Sequence, residues 1–109
     1  MASPKVDWLV LIPDTEGALE KRLKARPEHM DGLKPRVDSG AWVLGGATLS
    51  TPPRDGEDKK YTGSCIVARA SSREEVLEEI RKDIYTKEGV WNLEKIQIHP
   101  LATAFRTAL

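Results

Sequence analysis

The sequence predicts an α+β fold of β-α-β-β-α-β order, the ferredoxin-like unit with a four-stranded antiparallel sheet. Three observations predict it. Four runs, at 6–12, 41–47, 64–69 and 93–99, have strand character. Helical spacing fills the gap between the first and second runs, and again the gap between the third and fourth. Only a polar stretch without periodicity, residues 50–60, joins the second run to the third.

Each element has a local reason. In Val6-Asp7-Trp8-Leu9-Val10-Leu11-Ile12 both alternating faces are apolar beyond Asp7, the mark of a strand covered on both sides, and Pro13-Asp14 ends it. Leu19, Leu23, Met30, Leu33 and Val37 then recur at spacings that one apolar helix face requires. Asp14 or Thr15 is placed to cap that helix. Pro27, Gly32 and Pro35 interrupt it, so two helical pieces are expected, roughly 16–25 and 27–37, with Gly40 as the stop. In the second run, Ala41 to Ala47, Gly45 and Gly46 signal a bulge or the close approach of a ligand. The 50–60 loop has a length typical of functional or mobile connections. The third run, Ser64 to Arg69, leads into Ser71-Ser72-Arg73-Glu74-Glu75, a capping box pairing Ser71 with Glu74 or Ser72 with Glu75. Val76, Leu77, Ile80 and Ile84 supply the apolar face of the helix that follows. Leu93 to His99 alternates as the last strand. Two helices cover one sheet face. The doubly apolar first strand needs a cover on the other, and a second copy of the chain is the simplest one, so a homodimer is expected.

Composition narrows the function. The chain has 109 residues, which fits one domain over 1–109. Its 17 basic and 17 acidic residues leave no positive field for phosphates, so nucleic acid is not an expected partner. A lone cysteine, Cys65, sits in a strand and reads as a buried inert thiol. The apolar run Trp8–Ile12 is too short for a signal peptide or a membrane span, so a cytoplasmic home and no membrane partner are expected. With no phosphate loop, nucleophile elbow or metal-ligand spacing, no metal or cofactor is implied.

Arg26-Pro27-Glu28-His29, then Asp38-Ser39-Gly40, then Gly45-Gly46, Tyr61-Thr62-Gly63-Ser64, Asp83-Ile84-Tyr85 and Gly89-Val90-Trp91 follow one another in an order that resembles the YCII-related (YciI-like) family. Gly46 and Ile84 stand where that pattern usually has proline, and Pro35 lies between His29 and Asp38. The resemblance implies a dimeric α/β barrel with a pocket between sheet and helices. It also implies a His–Asp pair, for which His29 and Asp38 are the matching positions. Family members with a known reaction include dehydrochlorinases of chlorinated hydroxyhydroquinones.

Nine residues separate His29 from Asp38, about 900° of rotation and ~13 Å of rise on a straight helix, so they lie on opposite faces. Contact demands a bend, an Asp38 beyond the helix end, or pairing across a dimer. If they meet, the histidine shuttles a proton and the carboxylate fixes its tautomer. Arg26 suits an anionic or phenolic substrate, or is an ordinary solvated charge. Tyr61 and Ser64 offer hydrogen bonds at a pocket rim, or are strand-entry residues. Tyr85 and Trp91 wall an aromatic pocket, or pack the core.

Two functions stay open. One is a cofactor-independent lyase or isomerase acting on a phenolic or lactone-like small molecule. The other is a non-catalytic dimer that binds a metabolite or a protein. RNA binding, which shares this strand order, would need exposed aromatics on the third strand, where the chain reads Gly63-Ser64-Cys65-Ile66-Val67-Ala68. A cofactor-free monooxygenase, another activity of this barrel fold, has no residue that specifically supports it.

Overall fold

In the computed structural model, residues 4–108 are described. The strands are β1 (Val6–Pro13), β2 (Trp42–Leu49), β3 (Tyr61–Ala70) and β4 (Gln97–Leu101). The helices are α1 (Leu19–Asp38), α2 (Arg73–Lys82) and the single turn α3 (Ile84–Lys87). The sheet order is β2-β3-β1-β4, and every neighbouring pair is antiparallel. This is the ferredoxin-like α+β arrangement that the order of the sequence signals predicts.

Alternation along β1 divides the sheet into two faces. Val10 and Ile12 point at the helices and are fully buried, joined by Ile66 and Ala68 of β3, Trp42 of β2 and Ile98 of β4. Val76 and Ile80 of α2 and Tyr85 of α3 close the core from above. On the opposite face Leu9 pairs with Val67 and Leu11 with Cys65. These four side chains are only half-buried, and Leu44, opposite Val67, is 56% exposed. Asp7 is the buried charge of this face. It accepts from Thr103 and Arg106, tying residues 103–106 back to the sheet, and lies beside Arg69. Cys65 is half-buried rather than fully enclosed, and burial pushes its thiol above the ordinary value.

Three sequence expectations need correction. First, α1 is one continuous helix, not two pieces. Both of its prolines lie on the solvent side, as do Leu23 and Asp31, whose carbonyls lose an intrahelical partner. On that exposed side the freed carbonyls are open to water, and the helix runs through both prolines. Second, α1 starts at Leu19 after Ala18, with no side-chain cap, because Asp14 is engaged elsewhere. Third, Leu93–Lys95 is a short 3-10 turn, and β4 begins only at Gln97. The capping box forms on Ser72, whose hydroxyl accepts from the Glu75 amide at 3.2 Å. The Glu75 carboxylate meanwhile reaches back to Ser71.

The face by which α1 packs also differs from expectation. Leu19, Leu23, Met30 and Val37 are about half exposed. The stripe laid on the sheet is Arg22, Ala25, His29, Leu33 and Arg36, a run at spacings of three and four with three basic side chains in it. A helix buries such a stripe only when each charge meets a partner. Arg22 meets Asp14, His29 meets Asp83, and Arg36 meets Glu79 and the Trp42 ring.

Candidate functional site

These pairings lie beside a cleft of about 610 Å3 between α1 and the β2–β3 half of the sheet. Met30, Leu33 and Val37, three residues of the apolar stripe, form its helical wall. Gly45, Gly46 and Ala47 form the strand wall, so the double glycine leaves bare backbone on that side of the cleft. The strand irregularities fall on either side of the glycine pair, between Trp42 and Leu44 and between Thr48 and Leu49. The loop between β2 and β3 contributes Pro53 and Lys59 to the rim.

His29 is the most constrained group in the cleft. Its Nδ1 lies 2.8 and 3.0 Å from the two carboxylate oxygens of Asp83. Asp83 has a side chain only 1% exposed, and also accepts the Tyr85 amide at 2.9 Å, capping α3. An ionised carboxylate only accepts, so Nδ1 carries the hydrogen. The lone pair of the neutral ring is therefore on Nε2, which has no hydrogen-bond partner among the described residues. Tyr85 stacks on the imidazole at 3.9 Å and 11°, and Trp91 meets it edge-on at 5.7 Å. Carboxylate and rings together fix the imidazole's orientation.

A second network lies deeper. One Arg22 nitrogen donates to both Asp14 oxygens at 2.8 and 2.9 Å, and the other donates to Ser64 Oγ at 3.2 Å. Trp91 Nε1 donates to the same Oγ at 3.0 Å. With both lone pairs of Ser64 occupied, its hydroxyl hydrogen is the part left to donate. The Arg22 guanidinium also sits 4.9 Å from each of the Tyr61 and Tyr85 ring centroids. Burial pushes the Asp14 carboxyl above the ordinary value, while Arg22 pulls it back. Burial likewise raises the Tyr85 phenol, opposed by Arg22 and Arg26.

Arg26, His29, Tyr61, Ser64, Tyr85 and Trp91, all anticipated from the sequence, line one cleft. Asp38 does not. It lies in the exposed last turn of α1, 3.3 Å from Lys34, and the unbroken helix keeps it away from His29. The carboxylate that the fold brings to His29 is Asp83, 54 residues on. Sequence reasoning also missed Arg22 and Asp14. A usable signal existed in their positions: Arg22, Ala25, His29, Leu33 and Arg36 keep helical spacing as faithfully as the apolar residues do. Among the described residues, no cluster of three His, Cys, Asp or Glu side chains is placed to hold a metal ion. No helix among them is long and apolar enough to cross a membrane.

The model of the YCII-related domain matches residues 6–99. The chain belongs to the YCII-related family. It is 37% identical over 100 residues to fusaric acid biosynthesis protein 2 of Gibberella fujikuroi, covering 92% of this chain and 96% of that one. It is 36% identical over 104 residues to aspartate kinase FUB3 of Fusarium oxysporum f. sp. lycopersici, covering 95% of this chain but spanning only 19% of that protein. Among solved structures it is similar to 5-chloro-2-hydroxyhydroquinone dehydrochlorinase from Burkholderia phenoliruptrix AC1100, in complex with 2,5-dihydroxybenzoquinone. The TM-score is 0.73 at 26% identity, covering 87% of this chain and 92% of that one. YCII-family expectations of fold and pocket position thus agree with the structure, and the relatives take part in small-molecule chemistry.

Proposed function

We propose that this protein is a cofactor-independent lyase or isomerase for a phenolic or lactone-like small molecule, with His29 as acid/base and Asp83 as the group that orients it. One observation carries the reading: a buried carboxylate holds Nδ1 while Nε2 is left without a partner on a ring that lines an apolar cleft. That is the arrangement of a general base whose tautomer is fixed from behind. In an elimination, Nε2 takes a proton from the substrate and the released electron pair forms the new double bond. The leaving group departs as an anion. The acidity of a phenolic substrate makes that abstraction feasible without further assistance. Ser64 donates to a substrate oxygen, and Tyr85 and Trp91 hold the imidazole in place. The dehydrochlorinase among the structural neighbours, with its bound dihydroxybenzoquinone, supports this substrate class.

The working form is a homodimer that covers Leu9, Leu11, Leu44 and Val67. These residues make the face opposite α1 apolar, and no described residue fully buries it.

The test pairs a panel of phenols, quinols and lactones with NMR of the His29 ring. Ligands that perturb the ring, are turned over, and lose turnover by about 10²–10⁴-fold in Asp83→Asn support the reading. Ligands that bind without turnover, and bind equally well to His29→Gln, point instead to a metabolite-binding module.

A further inference from the structure

The charges around the cleft do not cancel. Arg22 has its own counter-charge in Asp14, and His29 has Asp83, whose carboxylate lies on the Nδ1 side of the ring and is not part of the lining. Two further cations line the cleft: Arg26 of α1, and Lys59 of the loop that enters β3. Both are exposed, and neither has a hydrogen-bond or ion-pair partner among the described residues. No Asp or Glu lines the cleft. In a chain with equal numbers of basic and acidic residues, a cleft with unpaired cations and no carboxylate is a local imbalance. The remaining walls are apolar and aromatic, with Trp42, Leu33, Met30 and Tyr85. The volume is in the range of small-molecule sites.

We propose that the cleft selects an aromatic anion, with Arg26 and Lys59 as the residues that read its charge. This deepens the functional reading given above and rests on the same cleft. The anionic group, carboxylate or ionised phenol, sits at the cationic rim, and the ring occupies the apolar interior. Lys59 thereby gives the 50–60 loop a role in specificity.

Isothermal titration against matched pairs tests this. One pair is 2,5-dihydroxybenzoate and its methyl ester; the other is ionised 2,5-dihydroxybenzoquinone and neutral hydroquinone. In at least one pair the anion binds about tenfold more tightly than its neutral match, and the pair that shows it identifies carboxylate or phenolate. Arg26→Gln and Lys59→Gln each weaken the anion about three- to tenfold and leave the neutral ligand unchanged. High salt shrinks the preference, since both cations are exposed. Lys34→Gln, a surface charge outside the cleft, changes nothing. Equal binding within both pairs, no anion binding at millimolar concentration, or a preference that survives both substitutions would overturn the proposal. His29→Gln separates the two readings. If turnover survives in that variant while the anion preference persists, the acid/base role falls and the anion site stands. If the preference fails while His29 remains essential for turnover, the reverse holds.

Discussion

Replacing Arg22 with methionine removes one half of a buried ion pair while roughly keeping the volume. The Arg22 side chain is 5% exposed and that of Asp14 12%, so the carboxylate left behind is largely shielded from water. Removing one partner of a buried pair costs about 3–5 kcal/mol, because the other charge stays desolvated. Ser64 Oγ also loses a donor, and two tyrosine rings lose their cation. With a urea m-value of about 1.5 kcal/mol/M, a loss of ~3 kcal/mol moves the unfolding midpoint down by about 2 M. The cost has a defined pH dependence. Burial already raises Asp14 in the folded protein, and Arg22 provides the opposing pull. Without Arg22 the carboxyl rises further, so the native variant takes up a proton more readily than its unfolded chain does. Its stability relative to wild type therefore improves as pH falls from 7 toward 4, and the deficit is greatest at neutral pH. Urea titrations followed by tryptophan fluorescence at pH 7 and pH 4.5 measure both numbers. A deficit under about 1 kcal/mol, or one that does not change between the two pH values, would refute the buried-pair reasoning.

Asp38→Asn, which alters only an exposed pair with Lys34, changes stability by less than about 0.5 kcal/mol and leaves turnover intact; a loss of turnover comparable to that of Asp83→Asn would reinstate Asp38. Gly63→Ala is far more damaging, because a Cβ there falls inside van der Waals contact of the Ile12 carbonyl oxygen in the adjacent strand. The expected result is a cost of about 3 kcal/mol or failure to fold, read by soluble yield and urea titration, and a wild-type midpoint would contradict it. Ser72→Ala removes the cap of α2 and costs about 1 kcal/mol by the same titration. Leu44→Lys places a charge on the open sheet face, and light scattering is expected to show a dimer for wild type and a monomer for the variant. Wild type that is monomeric at micromolar concentration would remove the dimer.

The strand order was legible because the signals stood apart along the chain: doubly apolar residues in 6–12, strand character in 41–47 and 64–69 across a polar loop, and a serine cap ahead of α2. The continuity of α1 was not. Proline signals a break only where the freed carbonyl has no access to water, and sequence alone does not say which side Pro27 and Pro35 face. The packing stripe was misread for a related reason. Hydrophobic spacing identified Leu19, Leu23, Met30 and Val37, yet Met30 and Val37 line the cleft and Leu19 and Leu23 stay half exposed. The helix packs instead through Arg22, His29 and Arg36, which becomes possible only once distant Asp14, Asp83 and Glu79 are folded against them. The partner of His29 was missed because it is separated by 54 residues, while the family resemblance was matched to Asp38. The cleft residues Arg26, Tyr61, Ser64, Tyr85 and Trp91 were reached through family resemblance and then found together.

The most direct measurement is the tautomer of His29, read from the nitrogen-15 shifts and couplings of its ring at a pH where the imidazole is neutral. A ring held by Asp83 through Nδ1–H leaves Nε2 unprotonated, and phenolic ligands then shift the Nε2 resonance first. A ring in the Nε2–H form, or one whose nitrogens ignore both the ligands and Asp83→Asn, would contradict the assignment of His29 as an acid/base oriented by Asp83.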